Sequence, residues 1–255
     1  MPTDDHPFLG PSRIARGDPP TSSSLAEDNA RLLASPQHGG ARSPTLTAAE
    51  LLARWSATLP RQQELGENLI TRYSEPHRRY HGTEHLLHVL TMIDELADDH
   101  DIFLVQLAAW FHDAVYAIPA GQVSNEEASA RLALRELSRV GLEQEDLNQI
   151  ARLVRLTETH LPGPRDPEGE LLCDADLAIL ASNPADYAAY VAAVREEYAQ
   201  VPEEDFLAGR LAVLSELADR EIFRTTKGRQ LADAARINLA GEISALVSNG
   251  SLRSL

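Results

Sequence analysis

From about residue 47 onward, apolar and polar positions recur with a helical period. Leu51, Leu52, Trp55 and Leu59 fall on one face behind Thr47-Ala48-Ala49-Glu50, which has the form of a capping box. A second helix is predicted from Arg61 to about Ser74, ended by Pro76. Apolar residues at 86, 89, 90, 93 and 96 make Leu86 to Ala97 an amphipathic helix. The next helix, roughly Asp101 to Val115, is apolar almost throughout and presents His112 and Asp113 near its end. Ser124-Asn125-Glu126-Glu127 repeats the capping-box pattern, and Gly141 stops the helix it opens. Further helices are predicted over Leu142 to His160, over Leu171 to Leu180, and from the Asn183-Pro184 cap to about Gln200. Two more cover about 203–220 and 228–248. No strand-like alternation competes, so residues 46–255 are expected to form one all-α domain.

Residues 1–45 break the pattern. They hold seven of the fifteen prolines, a Ser22-Ser23-Ser24 run and few large apolar residues. Such a segment buries too little surface to offset its ordering entropy, and a disordered or loosely packed tail is expected. The tail carries four Arg against five Asp and Glu, so almost all of the net charge of −16 belongs to the helical part. That acidity argues against binding a nucleic acid polymer, where neutralising phosphates supplies the affinity. It leaves room for a small phosphorylated ligand in a local pocket. Cys173 is the only cysteine, which excludes a disulfide framework and a multi-thiolate metal site. The chain starts without a signal-peptide pattern, and its longest apolar run, Ile102 to Phe111, is too short for a membrane span. A cytoplasmic protein with no membrane partner is the expectation.

Candidate chemistry comes from three separated stretches. His81, His85 and His88 stand at i, i+4 and i+7, so one helix face can show three imidazoles. His112-Asp113 ends the central apolar helix, and Asp174 and Asp176 lie on a later one. Each alone has an ordinary explanation. Helical histidines are commonly exposed or satisfied in a core, His-Asp pairs arise by chance, and an Asp before an apolar run is usually a cap. Together, imidazole and carboxylate donors suit a divalent ion such as Mn²⁺, Fe²⁺, Mg²⁺ or Ni²⁺, with Zn²⁺ also allowed. Such an ion lowers the pKa of bound water and polarises a phosphoryl or carbonyl oxygen.

The order His, His-Asp, Asp within a helical chain resembles the HD superfamily of metal-dependent phosphohydrolases. The likeness is closer to a bacterial branch described as predicted HD phosphohydrolases. It rests on Tyr80-His81-x-x-x-His85, Trp110-Phe111-His112-Asp113-x-Val115-Tyr116, Asn125-Glu126-x-x-Ser129-Ala130 and Asp174-x-Asp176-Leu177-x-Ile179-Leu180, and it covers about residues 47–248. The resemblance implies an HD-like helical bundle with His85, His112, Asp113 and Asp176 as metal ligands. His81 competes with His85 for the first position or contacts substrate, and Asp174 competes with Asp176 for the last. Glu126 orients or deprotonates the attacking water, or merely opens its helix. His160 falls where related proteins can place a further histidine facing the pocket, and the resemblance makes it a catalytic candidate that could bind a second metal or a phosphate. Arg79 is the candidate phosphate clamp, an ordinary surface ion pair being the alternative. No glutamate follows soon after His-Asp, as it does in some superfamily members, so the general acid or base is left open.

The function implied is hydrolysis of a small phosphoester or phosphoanhydride, above all a nucleotide, by a chain that could form a homodimer. Two other readings compete. One is an HD fold that binds nucleotide or metal without turnover. The other is an H-x-x-E-H zinc protease at His81-Gly82-Thr83-Glu84-His85, which leaves His112, Asp113 and Asp176 without a role.

Overall fold

The computed structural model describes residues 43–98 and 101–252. Its helices are α1 (Pro44–Thr58), α2 (Gln63–Tyr73), α3 (Thr83–Leu96), α4 (Phe103–Phe111) and α5 (Asn125–Val140). After these come α6 (Gln144–Leu156), α7 (Pro167–Leu177), α8 (Pro184–Glu197), α9 (Glu203–Ala218) and α10 (Ala232–Leu252). Short 3₁₀ turns over Ala178–Ala181 and Gly228–Leu231 link α7 to α8 and lead into α10. The described residues contain no strand, as the sequence pattern requires. No helix among them is long and apolar enough to cross a membrane. The proposed tail, residues 1–45, lies almost wholly outside the described residues.

Two helix starts expected from capping residues occur as read. Ser124 accepts a hydrogen bond from the Glu127 backbone N–H, and Asn183 accepts from Ala185 and Asp186. Gly141 ends α5 at φ 94°, a left-handed conformation that suits glycine. The first start differs from expectation. Pro44 occupies the first turn behind Ser43, so α1 begins earlier than the Thr47 capping box implied. Thr47 instead lies buried inside the helix, and its hydroxyl donates to the Glu84 carboxylate.

The core forms around α3 and α4. Leu86, Val89, Ile93 and Leu96 of α3 are buried, and α4 is buried along Val105 and Leu107–Phe111. Helix α7 packs on α3, α6 packs on α4, and α5 and α6 form a hairpin outside them. On the α1 side, Trp55 meets Trp110 edge to face at 5.1 Å and lies directly over Gly66. A Cβ at Gly66 would stand 2.2 Å from the indole, so only glycine lets α2 approach this closely. Helices α8, α9 and α10 make a second layer. Only Leu214 and Leu217 of α9 are buried, and the layer is fastened by polar contacts as much as by apolar ones.

Candidate metal centre and adjoining cavity

Helix α4 stops at Phe111, earlier than the Val115 that its apolar run suggested. Beyond it the backbone finds partners from other elements. The Asp113 N–H donates to the Tyr73 hydroxyl (3.2 Å), and its carbonyl accepts from the Arg78 guanidinium (2.8 Å). Ser129 Oγ takes the Val115 N–H at 3.0 Å, and Asn125 exchanges two 3.1 Å hydrogen bonds with the Ala117 backbone. The Asn125-Glu126-x-x-Ser129 motif is thus a fastening for the turn that carries His112 and Asp113. Adjacent side chains on a straight helix diverge by about 100°. Ending the helix here lets both face one point.

At that point they meet His85 from the first turn of α3 and Asp176 from the last turn of α7. The two Nε2 atoms of His85 and His112 are 3.0 Å apart. Asp113 Oδ2 lies 3.6 Å from His85 Nε2 and 3.2 Å from His112 Nε2, while Asp176 Oδ1 lies 3.2 and 3.6 Å from the same atoms. Neighbouring ligands about 2.1 Å from one ion stand roughly 3.0–3.5 Å from each other, so these separations suit a shared cation. The His112 tautomer fits as well. Its Nδ1–H donates to the Ala109 carbonyl at 2.7 Å, which leaves the Nε2 lone pair directed into the cluster. His85, His112 and Asp113 form a buried group able to hold a metal ion, and Asp176 lies against it, 3.2 Å from His85 Nε2.

Electrostatics favour positive charge there. Burial works against ionising either carboxyl, but His112 and the other nearby imidazoles hold Asp113 and Asp176 below the usual carboxylate range. Burial likewise lowers the imidazole pKa values. It prevails at His85, whereas Asp113 and Asp176 push His112 up to about 9. A divalent cation would therefore displace a proton from the cluster.

Asp176 divides its oxygens. Oδ1 faces the imidazole pair, and Oδ2 lies 2.8 Å from His160 Nε2. His160 thus stands behind Asp176, beyond the end of α6, where the sequence pattern had continued the helix. It sits at φ 51°, with its N–H on the Leu156 carbonyl, and this left-handed residue turns the imidazole back toward α7. Asp174, the competitor for the last ligand position, is turned away. Its carboxylate accepts from the backbone N–H groups of Arg224 and Thr225 and from the Thr225 hydroxyl.

A cavity of about 680 Å³ opens on the cluster. His81, His85, Asp113, Glu126, His160 and Asp176 all line it. Glu126 lies in the first turn of α5. His81 stacks on Tyr116 with ring centroids 4.4 Å apart, and its Nδ1–H donates to Glu197 at 2.5 Å. Burial lowers the His81 pKa, but the Glu197 hydrogen bond and the charges of Asp113, Glu197 and Asp176 outweigh it and raise the value. Arg79 is not brought to the cavity. Its guanidinium pairs with Glu196 at 2.7 Å on an exposed surface, the ordinary alternative noted above. His88, the third histidine of the helix face, does not line the cavity either.

The arginines that do line it are Arg210 and Arg220, on or just after α9. Arg210 grips Glu242 through two hydrogen bonds of 2.8 and 3.1 Å and donates to Tyr190, while Arg220 donates to the Thr159 carbonyl. Sequence reasoning missed them, and Glu197 with them. The available signal was a period in α9, where positions 206, 210, 213 and 217 share a helix face that carries an arginine.

A buried pair of imidazoles and a pair of carboxylates converge at helix ends, open to a cavity, in an arrangement able to hold a divalent cation within an all-helical frame. Residues 82–178 match the family model described as HD domain, and the chain carries an HD domain there. Members of that family are in general metal-dependent phosphohydrolases. Among solved structures, the crystal structure of Bacillus subtilis YpgQ in complex with ADP is similar at 18% identity and a TM-score of 0.40. That alignment covers 72% of this chain and 96% of the other. No curated protein sequence gives a significant match.

Proposed function

We propose that the protein is a metal-dependent phosphohydrolase acting on a small phosphoester or phosphoanhydride, with a nucleotide as the preferred class. The supporting observation is the convergence of His85, Asp113 and Asp176 at the wall of a cavity of about 680 Å³, with His112 buried directly behind them. That volume lies within the roughly 300–1,000 Å³ of small-molecule sites. His85, His112, Asp113 and Asp176 would hold the cation, which supplies an activated water and offsets charge developing on the phosphoryl group. His160 keeps Asp176 from rotating by binding its second oxygen. Glu126, on the cavity wall without a guanidinium partner among the described residues, is placed to accept a proton from water. Arg220 and His81 bring positive charge to the side where an anion would enter, the role first given to Arg79. Tyr80, Tyr198 and Phe206 offer aromatic surface on which a base could pack.

The test is phosphate release from a panel of nucleoside mono-, di- and triphosphates with Mn²⁺, Mg²⁺, Fe²⁺, Ni²⁺ or Zn²⁺ added. Turnover with at least one metal, abolished in His112→Ala, is expected. Saturable nucleotide binding with no phosphate released under any metal would replace this reading with a binding module.

A further inference from the structure

The HD match begins at residue 82 and ends at 178, yet the cavity is completed by groups on either side of it. His81 lines the cavity from just before the matched segment, and Glu197, which backs His81 without lining the cavity itself, falls beyond the segment's end. Glu197 occupies the last position of α8, with its side chain fully buried. One of its oxygens, Oε2, accepts the backbone N–H groups of Arg79, Tyr80 and His81 at 2.8, 3.0 and 3.1 Å. The other, Oε1, accepts from Nδ1 of His81 at 2.5 Å.

The division between these two oxygens carries the inference. Holding the turn over residues 79–81 needs Oε2 alone, and a neutral amide could do that without burying a charge. The second oxygen fixes an imidazole. With Nδ1 on Glu197, one face on Tyr116 and an edge against Tyr80 at 4.8 Å, the His81 ring has a single orientation. Its remaining nitrogen, Nε2, has no hydrogen-bond partner among the described residues and belongs to a side chain that lines the cavity beside His85. Partners of this kind behind a metal-ligating imidazole commonly change metal affinity or activity by about 10–100-fold when removed, and the lower end of that range is taken for an imidazole that faces an anion instead.

We propose that Glu197 is a positioning residue: through Nδ1 of His81 it holds the Nε2 edge toward the phosphoryl oxygens of a substrate bound at the His85–His112–Asp113–Asp176 centre. This rests on the phosphohydrolase reading. It extends the working site to α8, outside the segment the family match covers.

Inorganic phosphate, the fragment shared by every candidate substrate, is the probe. Its affinity for the Mn²⁺-loaded full chain is read from ³¹P relaxation in the wild type, His81→Ala, Glu197→Gln and the double variant. Glutamine keeps an acceptor for the three backbone N–H groups but turns a donor toward Nδ1. Each single substitution is expected to weaken phosphate binding about tenfold, with the double variant no weaker than His81→Ala alone. Bound Mn²⁺ and helix content should be unchanged. Wild-type phosphate affinity in Glu197→Gln, or losses that simply multiply in the double variant, would overturn the proposal and leave Glu197 a brace for the turn. Should Glu197→Gln fold poorly, Glu197→Asp keeps the charge at the turn while drawing back from Nδ1, and the same loss is expected. A wild-type protein that binds Mn²⁺ but neither binds phosphate nor releases it from any nucleotide defeats the phosphohydrolase reading itself, and this proposal with it.

Discussion

Two sides of one cavity are built on different physical terms. The side bearing the ligands is a fully packed junction of α3, α4 and α7, where His85 and His112 are 2% and 1% exposed. The opposite side, from α8 and α9, buries little apolar surface and is held by charged pairs, Glu197 with His81 and Glu242 with Arg210. Close packing of this kind restricts rotamers, which is what a cation site needs of its donors. The polar side is held instead by hydrogen-bonded charges that reach across long stretches of the chain.

The sharpest break between the two sides should come from the ligands. Asp113→Ala is expected to lose all stoichiometric metal by elemental analysis while keeping helix content by circular dichroism. Metal retained in that variant would sink the ligand assignment. Next in size is the clasp on the far side. Glu242→Ala leaves Arg210 buried without its carboxylate, and the two side chains are only 10% and 7% exposed in the pair. A loss of about 3 kcal/mol in denaturant unfolding is expected, with metal content untouched.

A smaller, pH-shaped effect belongs to the Glu197–His81 pair. Burial opposes ionisation of Glu197, but the His81 bond and the backbone N–H groups hold its carboxyl down to about 2, against an ordinary value of 4.5. Its contribution to stability is therefore complete above pH 4.5 and is lost as pH falls toward about 2. His81 has the opposite sign. Its raised pKa gives stability that is complete below 6.5 and is lost as pH rises through the folded value. The difference in Tm between wild type and Glu197→Gln should be widest between pH 4.5 and 6.5 and narrow on both sides. A difference independent of pH would show that the pair is not ionic. The smallest effect is expected from Arg79→Ala, within about 0.5 kcal/mol in stability, since it removes an exposed ion pair. Its phosphate affinity should match the wild type.

The packed side was legible because each of its stretches carries its own local signal, although the stretches lie far apart in the chain. An apolar run ending in His112-Asp113, with His85 before it and Asp176 after, states both a helix junction and a donor set. Asp174 could not be separated from Asp176 by spacing, since what decides between them is which carboxylate meets the N–H groups of residues 224 and 225. The polar side was hidden for a related reason. Glu196 and Glu197 are neighbours at a helix end and read alike as solvated charges, yet one pairs with exposed Arg79 and the other is buried under His81. Its partners lie more than a hundred positions away in the chain. The Arg79 reading failed on the same ground: nearness to the motif in sequence did not become nearness to the cavity.

The seating of Glu197 beneath residues 79–81 also sets how this protein can be cut and recombined. A fragment trimmed to the borders of the HD match would carry His85, His112, Asp113 and Asp176 but would lose the helix that braces the turn just ahead of its first residue. A chimera that exchanges α8 for a foreign helix would inherit the cation centre and would have to supply its own buried carboxylate at that spot. For shuffling experiments a fragment that keeps the brace has to run at least from Arg79 to Glu197, and the shorter module is a cage of donors with an unfinished doorway.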